Sequence, residues 1–91
     1  MEKRNIPKDF PVVILAAGEG SRLRKGGNHL PKPLVPLLGL TLLERALLTW
    51  KTAGVRRFYV VVGWEGKRVA AHAQELAKRH GLDLSLIHIS E

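Results

Sequence analysis

The chain has 91 residues, of which 45% are apolar and 25% charged, with a net charge of +7 and no cysteine. Those proportions are ordinary for a globular chain and exclude a disordered tail or a fibre, while the length leaves room for one small domain or a piece of a larger one. Missing thiols exclude a disulfide scaffold and a thiolate metal site and fit a reducing, cytoplasmic setting, and no apolar run approaches the roughly 20 residues of a membrane-spanning helix.

In chain order, residues 1–9 are polar and read as a loose N-terminus. Lys3, Arg4 and Lys8 precede an apolar run, as in an export signal, but the run from Val12 to Ala17 is short and a charged, glycine-rich loop follows it. Pro11 to Ala17 therefore predicts a strand, and its unbroken apolar character predicts one covered on both faces. Gly18 to Gly39 holds five glycines and three prolines, which predicts a long loop with no helix through it.

Thr41-Leu42-Leu43-Glu44 has the form of a capping box and opens a helix whose stripe is Leu43, Ala46, Leu47 and Trp50, with Gly54 as its stop. Phe58 to Val62 predicts a second buried strand. A second helix, from about Glu65 to His80, carries Val69, Ala73, Leu76 and Ala77 on its apolar stripe and stops at Gly81. Leu82 to Ile89 predicts a third strand. Helices alternating with buried strands imply an α/β fold with a parallel sheet, which binds ligands at the carboxyl ends of its strands. The closing peptide Ser85 to Glu91 reads in two ways: as a true strand end, or as a non-native tail, since it resembles translated sequencing-adapter DNA.

The chemistry concentrates after the first strand, in Gly18-Glu19-Gly20-Ser21-Arg22-Leu23. A dinucleotide fingerprint needs Gly or Ala where Leu23 stands, and a Walker loop needs a Gly-Lys-Ser/Thr triplet that the chain lacks. Two glycines still let backbone amides approach an anion. Arg22 offers a fork of donors matched to phosphate, and Lys32, stiffened by Pro31 and Pro33, adds a point charge. Arg22, Arg24, Lys25 and Lys32 lie within eleven residues that contain no acid. One anion pocket fits that clustering better than a broad basic face, and the few aromatic residues argue against a surface that stacks nucleic-acid bases.

His29, His72, His80 and His88 form no plausible metal set and read as surface or satisfied histidines. Trp50 reads as core, Trp64 as a packing residue on the ligand edge with a substrate contact as the alternative, and Arg56 and Arg57 as solvated at the opposite edge.

Leu15-Ala16-Ala17-Gly18-Glu19-Gly20-Ser21-Arg22-Leu23, followed by Pro31-Lys32-Pro33-Leu34, resembles the signature of the sugar-1-phosphate nucleotidyltransferases. The resemblance spans about residues 11–84. It implies a Rossmann-like sheet and transfer of a nucleotidyl group from an NTP to a sugar or polyol phosphate, with Mg²⁺ and release of pyrophosphate. It further implies nucleotide contacts at Leu15, Ala16, Ala17, Gly18, Gly20 and Ser21, and catalytic roles for Arg22 and Lys32. Partners are then an NTP and a phosphorylated acceptor, with no nucleic acid and no membrane. Lys25 and Gly27 replace the Pro and Thr of many sugar-specific members, and Gly26-Gly27-Asn28-His29 is similar to members acting on inositol phosphate. Family members are longer, and their metal-binding Asp lies beyond Glu91, so residues 1–91 are expected to be the N-terminal part of one nucleotidyltransferase domain. Two other readings stay open: a small basic module that binds nucleic acid or another polyanion, and a nucleotide-binding pseudoenzyme.

Overall fold

A computed structural model describes residues 10–17 and 30–89. Strand β1 (Val12–Ala16) leads to a 3-10 turn at Lys32–Leu34 and a two-stranded antiparallel hairpin of β2 (Pro36–Leu37) and β3 (Leu40–Thr41). Helix α1 (Leu42–Thr52), strand β4 (Arg57–Val62), helix α2 (Gly66–His80) and strand β5 (Asp83–His88) complete the order. The main sheet is parallel, in the order β1-β4-β5. It has the α/β character that the alternation of elements predicts, with a crossover helix before each added strand.

Register decides which side chains meet the helices. Val12, Phe58 and Leu84 share one row, and Ile14, Val60 and Leu86 the next. These rows and Ala16 and Val62 pack with Leu43 and Leu47 of α1 and with Val69, Ala73 and Leu76 of α2 in a single core. Phe58, Leu47, Val60 and Leu76 are fully buried. Each such side chain stabilises the fold by about 1.5–3 kcal/mol relative to leaving it exposed.

The alternate rows face away from both helices, which corrects the expectation of a first strand covered on both faces. Val13 is 59% exposed and Leu15 77%. An apolar run does not reveal how many of its faces are covered, because alternation is the only periodic sign of a half-buried strand and this run has none. Trp50 also departs from its expected place in the core: it is 40% exposed, because the stripe turns outward before the last turn of α1.

The second half of the predicted loop is more ordered than expected. Pro31 caps the 3-10 turn, and Pro33 sits within it, where a missing N–H costs no helical bond. Leu38 and Gly39, with φ of 55° and 90°, form the two left-handed positions of a tight hairpin turn. The Arg45 guanidinium donates to the carbonyls of Leu37 and Leu38 and ties that hairpin to α1.

Both helix stops match the sequence reading. Gly54 follows α1 at φ 105°, and Gly81 caps α2 at φ 67°, conformations that glycine adopts without a Cβ penalty. Among the described residues, no helix is long and apolar enough to cross a membrane. The expectations for residues 1–9 and for the last two residues lie outside the described part of the chain.

Candidate functional site

The carboxyl ends of β1 and β4 lie side by side, Ala16 opposite Val62. Gly63 then comes so close to Ala17 that a Cβ built on the glycine would stand 3.1 Å from the Ala17 Cβ. This approach fixes where the chain leaves β1, immediately before Gly18. Gly18, Gly20, Ser21 and Arg22, the centre of the predicted anion loop, lie outside the described residues, as do Lys25 and His29.

Lys32 is described, and the structure brings it to the expected edge. It opens the 3-10 turn between Pro31, which is fully buried, and Pro33, which is also buried. The Leu34 N–H donates to the Pro31 carbonyl at 2.8 Å and the Val35 N–H to the Lys32 carbonyl at 3.1 Å. Two buried rings and a closed turn hold the backbone of a side chain that itself is exposed. A cleft of about 240 Å³ joins Lys32 and Pro33 to Ile14, Leu15 and Ala16 of β1 and to Leu42, Leu43 and Ala46 of α1. Leu15 and Ala16, both expected at the nucleotide, therefore meet Lys32 in one cleft. Ala17, the next residue along the chain, is half-buried.

Among the described residues, Lys32 forms no ion pair, and no acid lines its cleft. An unneutralised ammonium beside an apolar wall favours an anion, since the weakly polarisable wall screens the charge less than water does. The described residues do not fit a metal held by the protein: none of them form a group of three or more His, Asp or Glu side chains able to hold an ion.

The position of Lys32 depends on a polar seam that the sequence does not disclose. The Val35 carbonyl accepts from the Leu42 N–H at 3.0 Å, joining the lysine turn to the start of α1. There the Thr41 hydroxyl accepts from the Glu44 N–H at 3.1 Å, as the capping box predicts. The reciprocal bond does not form, because the Glu44 carboxylate turns instead to α2. Glu44 is only 6% exposed and lies 2.8 Å from His80 Nε2 and 3.3 Å from Arg79 Nη1. The hydrogen bond with His80 holds the Glu44 carboxyl below its ordinary pKa; burial opposes that shift, and the Arg79 charge reinforces it. Thr41 also pairs with His72 Nε2 at 2.7 Å. His72 and His80 are thus satisfied histidines, as expected, and together they dock α1 on α2. The signal available in the sequence was their spacing of two turns on α2, opposite the polar start of α1.

A larger concavity, of about 650 Å³, lies elsewhere, at the amino ends of β4 and β5. Parallel α/β sheets place their ligands at the carboxyl ends, so the smaller cleft at Lys32 is the better candidate for chemistry.

The chain is similar to known proteins over most of its length. A family model described as the MobA-like NTP transferase domain matches residues 12–85. The bifunctional IPC transferase and DIPP synthase of Rubrobacter xylanophilus is 44% identical over 77 residues, covering 84% of this chain and 16% of that protein. A bifunctional protein GlmU from Synechococcus is 44% identical over 68 residues, covering 75% of this chain and 10% of that protein. Among solved structures, HddC from Yersinia pseudotuberculosis complexed with GMP-PN superposes with a TM-score of 0.75 at 26% identity, over 89% of this chain and 36% of that one. The inositol-1-phosphate CTP transferase from T. maritima gives a TM-score of 0.73 at 25% identity, over 91% and 33%. The chain therefore spans a small part of the length of the curated relatives it matches.

Proposed function

This chain belongs to the MobA-like NTP transferase domain family, and from that membership we propose that it is the nucleotide-binding part of a nucleotidyltransferase. The reaction is transfer of NMP from an NTP to the phosphate of a sugar or polyol phosphate. An acceptor phosphate oxygen attacks the α-phosphorus, a new P–O–P bond forms, and the bond to the leaving pyrophosphate breaks. Negative charge spreads over the reacting oxygens, and fixed donors and cations stabilise it.

In this reading Leu15, Ala16 and Ala17 meet the base and ribose through their backbone. Gly18 joins them there, the amides of Gly20 and Ser21 with the Arg22 guanidinium hold the triphosphate, and Lys32 stands against the charge at the reacting phosphate. Mg²⁺ would supply positive charge at the NTP phosphates. The similarity of Gly26-Gly27-Asn28-His29 to inositol-phosphate members, and the inositol-1-phosphate CTP transferase among the structural neighbours, favour a polyol phosphate acceptor. The cytoplasm, where NTPs are abundant, is the compartment that suits the reaction.

One observation carries this reading: Lys32 is held by two buried prolines in a cleft with the carboxyl end of β1, directly before the glycine loop. Titration of the chain with each NTP and Mg²⁺, followed by the amide resonances of Ala16, Ala17 and Gly63, tests it. The expected result is saturable shifts at those amides. Lys32→Ala should weaken binding by about tenfold or more, the worth of one charge-assisted hydrogen bond, and Lys78→Ala on the outer side of α2 should leave it unchanged. Tighter binding of a random DNA duplex at the same amides would overturn the reading in favour of a polyanion-binding module.

A further inference from the structure

The 650 Å³ cleft at the amino ends of β4 and β5 takes no part in the proposed reaction, yet three of the nine Lys and Arg residues among the described residues line it. Lys51 from the last turn of α1, Arg56 from the link to β4 and Arg57 at the start of β4 form one wall. His80, Gly81 and Asp83 form the other. Three permanent cations against one carboxylate leave a net charge of two positive units. Arg57 Nε lies 3.6 Å from Asp83, and both side chains are largely exposed, so that pair is weak and readily remade. Among the described residues, neither Lys51 nor Arg56 has any ion pair or side-chain hydrogen bond.

Basic residues often collect at helix C-termini simply to meet exposed carbonyls. Here that explanation is weakened, because backbone amides already occupy several of those carbonyls. In α1, Thr49, Trp50 and Lys51 accept from Ala53, Val55 and Gly54 at 3.2, 3.0 and 3.0 Å. In α2, the Ala77 carbonyl accepts from both Gly81 and Leu82. Arg56, moreover, belongs to no helix. Gly54 and Gly81 also leave open space where a side chain would stand, so the backbone is accessible to a ligand on both walls. The volume lies in the usual range for small-molecule sites, about 300–1,000 Å³.

We propose that this cleft is a second anion site, distinct from the Lys32 cleft, and that it takes a compact oligophosphate such as the phosphate chain of a nucleotide or free inorganic polyphosphate. Lys51 and Arg56 supply the unpaired charge, and Arg57 exchanges Asp83 for a phosphate oxygen in the bidentate geometry a guanidinium offers. A folded cleft between two glycine-capped helices suits a short, highly charged chain better than the extended backbone of a nucleic acid, and no Phe, Tyr or Trp lines it for base stacking.

The test uses the full 91-residue chain and inorganic tripolyphosphate, which has no base, followed by the amide resonances of Gly54 and Gly81. Saturable shifts at both are expected. Lys51→Ala with Arg56→Ala should weaken binding at least tenfold, Asp83→Asn should tighten it, and Lys32→Ala should leave these resonances unaffected. ATP, run as a second arm, should match tripolyphosphate if the phosphate chain is the whole determinant, and bind more tightly if the nucleoside contributes. Absence of saturable shifts at Gly54 and Gly81, their persistence in the double variant, or equal displacement by a DNA duplex would each overturn the proposal. Since Ala16 and Ala17 report the other cleft, failure of either site is visible without the other.

Discussion

Replacing Glu44 by Gln preserves the shape of the side chain and removes its charge, which isolates the electrostatic share of the seam between α1 and α2. The carboxylate accepts from His80 Nε2 at 2.8 Å, and His80 is 22% exposed, so this bond is well shielded from water. A hydrogen bond to a charged group contributes about 1.5–3 kcal/mol, against about 0.5–1.5 for a neutral one, so the amide forfeits about 1 kcal/mol there. Arg79 lies at 3.3 Å but is half exposed, which limits its share to about 0–1 kcal/mol. The expected loss at pH 7 is therefore about 1–2 kcal/mol. For a domain of this size each kcal/mol moves Tm by about 4–8 °C, so the variant should melt roughly 5–15 °C lower.

The pH dependence follows from the lowered pKa of Glu44 relative to its ordinary 4.5. Its stabilising contribution is complete above the pKa of the unfolded chain and disappears as pH falls through the lower folded value. Once both chains carry a neutral side chain at position 44, the gap between them should close. Urea unfolding at pH 7 and down the acid limb, followed by circular dichroism, measures it. Equal stability at pH 7, or a gap of unchanged size at pH 3, would refute the assignment of Glu44 as a charged clasp.

Gly63→Ala should cost about 1–3 kcal/mol, since its new methyl would stand 3.1 Å from the Ala17 Cβ and overpacking of a close contact carries that penalty; denaturant unfolding and a shifted Ala17 amide report it, and an unchanged Ala17 resonance would refute the close approach. Leu38→Asn should raise stability by about 0.5–1 kcal/mol, because Leu38 holds a left-handed φ of 55° while 87% exposed and asparagine tolerates that conformation better. A lower melting temperature for Leu38→Asn would show that the leucine makes a contact in solution that outweighs its strain.

Local signals set the limits of what the sequence discloses. Gly81 ends α2 where predicted, because a left-handed cap is a property of one residue and its two neighbours. The hairpin at Leu38-Gly39 was hidden, since leucine is a poor marker of a positive φ and the strands on either side are two residues long. The fixed backbone at Lys32 was legible because Pro31 and Pro33 restrict it within three residues of sequence. The exposed face of β1 was not, because whether a second layer covers Val13 and Leu15 is decided by tertiary structure. The clasp between Glu44 and α2 was least legible of all: its partners stand 35 and 36 residues away, and Glu44 in a Thr-x-x-Glu pattern suggests only a local cap.

That clasp bears on how a solvent-exposed lysine can be held in place. The Lys32 turn takes its rigidity from buried Pro31 and Pro33 and, through the hydrogen bond between Leu42 and Val35, from the first turn of α1. That turn is held in place by Thr41 against His72 and by Glu44 against His80 and Arg79. Apart from the contact to half-exposed Arg79, these links are hydrogen bonds of 2.7, 2.8 and 3.0 Å between groups at least partly withdrawn from water, where a lost partner costs more than at the surface. The ammonium can remain mobile at its tip while its backbone is fixed by the packing of α1 on α2. In the proposed reaction the fixed backbone leaves only the lysine side chain to order against the phosphate, which lowers the reorganisation needed before the cation can act on a charged transition state. The polar seam is thus as much a part of the candidate site as the cleft it supports.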